Sequence, residues 1–329
     1  MLPATRHSDM TIHAERAMPL HPDLEAFLEL ANTASPMSEM TPQDARAAYD
    51  NATLALDTPG ARIPVESLDL PARDGYRLPA RIYYGSTTQT ALPVLLYFHG
   101  GGYVVGGLDS HDSLCRDIAE QAACAVLAID YRLAPEHKFP TAFQDAEDAH
   151  LWLLRHGGEY GLDTGRIAFG GDSVGATLAT TLTIAARDAG RLQPLLQLLL
   201  YPCTSAAQDT PSHQRYAEGY LLEQRTLQWM FRHALRSEQD RADWRFAPLQ
   251  AESLAGLAPA HIVLAEYDPL LDEGIAYAQC LKAEGVSVRL DIHDGMVHDF
   301  ARLGNIVMEA DDLRSDLADS LALAFVKSS

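Results

Sequence analysis

Apolar runs of strand length alternate with helical patterns through most of this chain. Val65–Leu70 and Arg77–Tyr84 read as strands joined by an Asp74-Gly75 turn. Pro93–Phe98 and Ala122–Asp130 follow as buried strands, then a helix at Pro140–His156, a strand at Arg166–Gly170 and a helix at Ser173–Ala189. Leu195–Tyr201, His261–Ala265 and Val286–Ile292 complete the strands, with helices at Asp272–Glu284 and at the C-terminal end, where Leu313, Leu317, Leu321 and Phe325 recur four apart. Strands apolar on both faces, alternating with helices, predict an α/β chain with a mostly parallel sheet covered on two sides.

Two stretches break the alternation. Residues 1–60 predict two short helices and no strand: Leu24, Phe27, Leu28 and Ala31 have helical spacing after Pro22, and Thr41-Pro42 reads as an N-cap followed by Pro at the first helical position. Residues 202–248 are polar and partly helical, clearest at Thr226–Leu235, and too long for an ordinary loop. The expected organisation is an N-terminal helical segment (1–60) and a main α/β domain (61–329), with the insertion at about 202–248 lying over one sheet end as a lid.

Charge removes several classes of function. With 25 Lys+Arg against 45 Asp+Glu, the net charge of −20 disfavours nucleic acid and anionic membrane surfaces. The longest apolar run, Ala122–Ile129, is far short of the roughly 20 residues of a spanning helix. The segment Met1–Asp9 has no apolar stretch of the signal-peptide kind, and Cys115, Cys124, Cys203 and Cys280 lack metal-site or disulfide-framework spacing. These features predict a cytoplasmic protein.

Chemistry concentrates at strand ends. Gly171-Asp172-Ser173-Val174-Gly175 spans a strand-to-helix junction, where a tight turn lifts a serine above the sheet and flanking glycines permit close backbone approach. The plain alternative is a tight turn with a helix-capping serine. His99-Gly100-Gly101-Gly102 directly follows an apolar strand, and three glycines can turn backbone N–H groups toward a developing anion. A dinucleotide loop is excluded because Val105 stands where its last glycine is required. Asp268 and His298 follow the last two strands, at the sheet edge where ligands bind, and the order Ser173, Asp268, His298 is that of an α/β-hydrolase triad.

With these motifs the chain resembles the bacterial hormone-sensitive-lipase-like (family IV) carboxylesterases of the α/β-hydrolase superfamily. His99–Gly102, Asp130–Glu136, Gly171–Gly175, Glu266–Leu270 and Met296–Phe300 carry the resemblance, which extends from about Val65 to the C-terminus. It implies an α/β-hydrolase fold with a helical cap and a serine esterase acting on short acyl chains. Ser173 would be nucleophile, His298 base and Asp268 its orienter, with the N–H groups of Gly100, Gly101 and Val174 as oxyanion hole. His99, Gly102, Gly171, Asp172 and Gly175 would support these motifs.

Tyr103, Tyr220 and Leu221 are candidates for the substrate pocket, and Trp229 and Met230 for its acyl side. No cofactor or metal is expected; His293 and His298 are five apart with no accompanying ligands. The expected partner is a small ester, with a homodimer through the edge of Val286–Ile292. An amidase, a deacetylase or a non-catalytic ligand-binding relative are the alternatives on the same scaffold. Two residues depart from the commonest family pattern: Val174 in place of alanine, and Asp299 in place of glycine after the candidate base. An Asp299 carboxylate near the imidazole should raise the His298 pKa.

Overall fold

In the computed structural model, which describes residues 18–86 and 91–326, the apolar runs form one eight-stranded sheet. Met1–Asp9, and with it the start of the N-terminal segment, lies outside the described residues. The strands are β1 (Val65–Pro71), β2 (Arg77–Tyr84), β3 (Leu92–Phe98), β4 (Ala125–Ile129), β5 (Leu162–Asp172), β6 (Gln197–Leu200), β7 (Ala260–Tyr267) and β8 (Val288–Val297). Their order is β1-β2-β4-β3-β5-β6-β7-β8; β2 pairs antiparallel with β1 and β4, and every later pairing is parallel.

Strand β3 shows why these runs carry no polar alternation. Val94, Leu96 and Phe98 enter one apolar cluster while Leu95 and Tyr97 enter the other, so successive side chains are buried on opposite faces. Helices α4 (Thr141–His156), α5 (Val174–Asp188) and α8 (Leu271–Ala283) supply the first cluster. Helices α3 (Asp112–Gln121) and α9 (Glu309–Val326) supply the second. Helix α3 is not among the elements the sequence predicts: its buried stripe, Leu114, Cys115, Ile118 and Ala119, is narrow and set among charged residues. The other difference that matters is β8, which continues past Asp294-Gly295 to Val297, so His298 follows the strand directly.

Helices α1 (Pro22–Ala31) and α2 (Pro42–Leu56) begin as their prolines dictate, with His21 and Thr41 side chains accepting from the first turn. The 202–248 stretch carries α6 (Pro211–Arg215) and α7 (Gln224–Ala234). Asn32 donates to the Gly219 carbonyl (3.3 Å), joining the two segments. Arg46 of α2 donates to the carbonyls of Val104 and Ala134 (2.8 Å each), tying the N-terminal piece to the loops after β3 and β4. No described helix is long and apolar enough to cross a membrane.

Candidate active site

Ser173 sits between the last residue of β5 and the first of α5 with φ 54° and ψ −122°. Such a conformation costs a non-glycine residue about 1–3 kcal/mol. It is held by the Ser173 N–H, which donates to Leu200 O (2.8 Å), and by the Cys203 N–H, which donates to Ser173 O (3.4 Å). The flanking glycines are steric requirements: a Cβ at Gly171 would lie 2.3 Å from Phe98 O, and one at Gly175 only 2.0 Å from the same oxygen. The turn also sets Ser173 at the positive end of the α5 dipole.

Asp268 and His298 reach this serine from the ends of β7 and β8. His298 Nε2 lies 3.1 Å from Ser173 Oγ, and Nδ1 lies 2.6 Å from Asp268 Oδ2. The other Asp268 oxygen accepts the Leu270 N–H at 2.8 Å. All three side chains are buried. The ends of β7 and β8 are stapled by Glu266, whose carboxylate accepts the N–H groups of Gly295 (2.8 Å) and Met18 (3.1 Å). Burial by itself would push the His298 pKa down, but the Asp268 carboxylate, assisted by Asp299 and Asp172, holds it above the ordinary histidine range. An Asp on Nδ1 keeps the proton there and leaves Nε2 to accept from the serine hydroxyl.

The loop after β3 brings backbone donors alongside. Gly101, Gly102 and Val174 line the cavity with Ser173, and their N–H groups have no acceptor among the described residues. Gly100, which the sequence places among these donors, packs on Asp172, whose carboxylate a Cβ would meet at 2.2 Å, and it lies outside the cavity lining. Gly102, read from the sequence as support, lines the cavity instead. Its φ of +61° suits glycine, and a Cβ there would lie 2.0 Å from Met230 Sδ.

Beneath this loop, His99 stacks on Tyr131 at 4.3 Å, its Nδ1 lies 2.7 Å from Gly100 O, and burial lowers its pKa to about 3. The Tyr131 hydroxyl donates to His99 O (2.8 Å). Asp172 accepts from the Tyr97 hydroxyl (2.6 Å) and lies 3.2 Å from His111 Nε2. Burial acts to raise its pKa, but His111, Arg302 and Tyr97 together hold it below the usual carboxylate range.

Above Ser173 lies a cavity of about 370 Å³. One wall is α2, through Ala48, Tyr49, Ala52, Thr53 and Leu56; another is α7 with the residues before it, through Leu221, Leu222, Thr226, Leu227, Met230 and Phe231. Of the residues the sequence offers for a substrate pocket, Leu221 and Met230 line this cavity. Tyr103 and Tyr220 do not line it. Tyr103 is turned by its positive φ into the core, against Phe246 and Tyr131. Tyr220 packs with Tyr216 and Tyr267 at 5.2 and 5.3 Å. Trp229 is buried beside His233 and does not line the cavity.

Sequence reasoning misses Tyr49 and Arg302, both in the cavity lining; the helical repeat Ala45, Tyr49, Ala52, Leu56 was the available signal for Tyr49. Away from the cavity, His261, Asp291 and Asp316 form a group with metal-ligand chemistry, but Arg289 binds both carboxylates at 2.7 Å and supplies the positive charge.

Residues 95–302 match the family described by the alpha/beta hydrolase fold. The ethyl acetate hydrolase of Pseudomonas putida is 43% identical over 310 residues, covering 90% of this chain and 96% of that one. The chain belongs to the hormone-sensitive-lipase-like α/β-hydrolases. Another member of this α/β-hydrolase group, the arylesterase of Saccharolobus solfataricus, is 35% identical over 288 residues, covering 86% of this chain and 92% of that one. Among solved α/β-hydrolases, a thermostable esterase from Pseudomonas putida matches with a TM-score of 0.90 and 31% identity, covering 94% of this chain and 99% of that one.

Proposed function

We propose that the protein is a serine carboxylesterase. Ser173 Oγ attacks the ester carbonyl while His298 Nε2 takes its proton, and Asp268 stabilises the imidazolium that results. The oxyanion is held by the N–H groups of Gly101, Gly102 and Val174. His298 then returns the proton to the departing alcohol, leaving an acyl group on Ser173. Water repeats the cycle and releases the acid, so the steps balance with water alone.

One observation carries this reading: the contacts from Ser173 Oγ to His298 (3.1 Å) and from His298 to Asp268 (2.6 Å) open onto a cavity rimmed by backbone donors with no acceptor among the described residues. The modest, mostly apolar cavity and the names of the ethyl acetate hydrolase and arylesterase relatives support short, uncharged esters as substrates. The test is labelling by an organophosphate, located by mass spectrometry. Stoichiometric modification of Ser173, with matched esters turned over much faster than amides, is expected; modification of another serine instead would overturn the assignment.

Several further features belong to this proposal. Residues from α1 to α2 and 202–248 act together as the cap. The four cysteines are free thiols, three of them buried, which supports a reducing cytoplasmic setting. Strand β8 ends the sheet, and its open edge is the surface through which a homodimer would form.

A further inference from the structure

Between cap helix α2 and the candidate base lies a buried ionic group that the proposed reaction does not use. Arg302 is 6% exposed, and all five of its N–H groups are taken. Nε donates to Asp299 Oδ1 (3.1 Å), Nη2 donates to Asp299 Oδ2 and to the Tyr49 hydroxyl, and Nη1 donates to Ser110 O (2.9 Å) and the Thr53 hydroxyl (3.3 Å). The Tyr49 hydroxyl lies 3.4 Å from Asp299 Oδ2 and closes the ring as a donor, while the guanidinium rests 4.7 Å from the Tyr49 ring centre. With no N–H to spare, Arg302 has nothing left with which to bind a substrate anion.

The position of the group is informative. Tyr49 and Thr53 are one turn apart on α2, and Asp299 is the residue after His298. Asp299 has a φ of +69°, a conformation that its own backbone disfavours, so the turn carrying His298 depends on what holds the side chain. On the far side, Ser110 Oγ lies 2.9 Å from His111 Nδ1, and His111 contacts Asp172, the residue before Ser173.

We propose that Tyr49, Arg302 and Asp299 form a strut from cap to base: positioning residues that align His298 on Ser173 when α2 is seated. This rests on the reading of Ser173 and His298 as nucleophile and base. The strut makes cap seating a condition of efficient proton transfer, so the cap contributes to rate as well as to selectivity.

The groups facing His298 are Ser173, Asp268, Asp299, Asp172 and Arg302, with the phenols of Tyr201 (ring centres 4.7 Å apart) and Tyr49. Tyr49→Phe keeps the ring and every charge. It should lower kcat by about tenfold, short of the hundredfold that a 1 Å misplacement can cost, with KM within about twofold and the pH onset unmoved. Asp299→Asn removes a negative charge and leaves Arg302 unbalanced, so the His298 pKa should fall and the acid limb of kcat/KM should move to lower pH. Asp299→Gly relieves the backbone yet releases Arg302; both Asp299 variants should lower kcat by about tenfold and share the shift.

Melting temperature and Ser173 titration with diethyl p-nitrophenyl phosphate accompany each assay. If Asp299→Gly and Tyr49→Phe turn over like the parent with an unchanged pH onset, whatever their melting temperatures, the strut is wrong. If the parent is not labelled at Ser173, it is the underlying reading that fails. Should Tyr49→Phe not fold, the two Asp299 variants carry the same test.

Discussion

The floor of the cavity is made of polar groups fixed at the ends of β5, β7 and β8, whereas its roof is a largely apolar wall of α2 and α7 side chains. On the floor each functional side chain has a directional partner: Asp268 accepts a backbone N–H and holds His298, and Glu266 staples the two strand ends. On the roof, Ala48, Ala52, Leu222, Leu227 and Met230 make contacts that depend on area rather than angle. Floor and roof should therefore respond to substitution on different scales. Directional geometry is lost in steps, while an apolar wall repacks.

The sharpest way to break the contrast is Ser173→Ala, which should lower kcat by about 10⁶ while the fold persists; a steady-state assay retaining a tenth of parental activity would end it. Asp268→Asn follows, with an expected loss of about 10⁴, because the amide no longer fixes the imidazole tautomer. Gly102→Ala tests where floor meets roof. The added methyl collides with Met230 in a backbone region unfavourable to alanine, so turnover should fall by about 10². Adding Met230→Ala to that variant should recover part of the loss, measured as a double-mutant cycle. Met230→Ala alone should change the shortest acetyl esters by less than about threefold and raise kcat/KM for longer acyl chains by roughly tenfold. An equal loss across all chain lengths would assign Met230 to the floor.

The floor was readable in the sequence because its residues sit at transitions the pattern marks. Ser173, Asp268 and His298 each follow an apolar strand, and the glycines around Ser173 are there because Phe98 O leaves no room for a side chain. The roof was harder. Tyr103 and Tyr220 are aromatic residues near the right loops, but a positive φ turns Tyr103 inward and two tyrosines engage Tyr220. Neither effect has a local signal. The exchange of Gly100 for Gly102 has the same cause: which of three adjacent glycines faces the cavity depends on what packs behind them, here Asp172 and Met230. Arg302 escaped notice because its partners, Tyr49 and Thr53, stand about 250 positions earlier, and no periodicity within one element reports such a contact.

That separation bears on how the protein is made. The N-terminal helical piece is anchored by residues far along the chain: Met18 to Glu266, Tyr49 and Thr53 to Arg302, and Asp57, just past α2, to the fully buried Arg314 on α9, 257 residues later. During synthesis α2 therefore leaves the ribosome long before Arg302 and Arg314 exist to hold it, and Leu56, which packs in the cluster that α9 supplies, waits for that helix. Full anchoring of α2 thus waits for residues made about 250 positions later. A chaperone that shields an emerging amphipathic helix should raise the yield of this protein more than one that acts on the finished sheet.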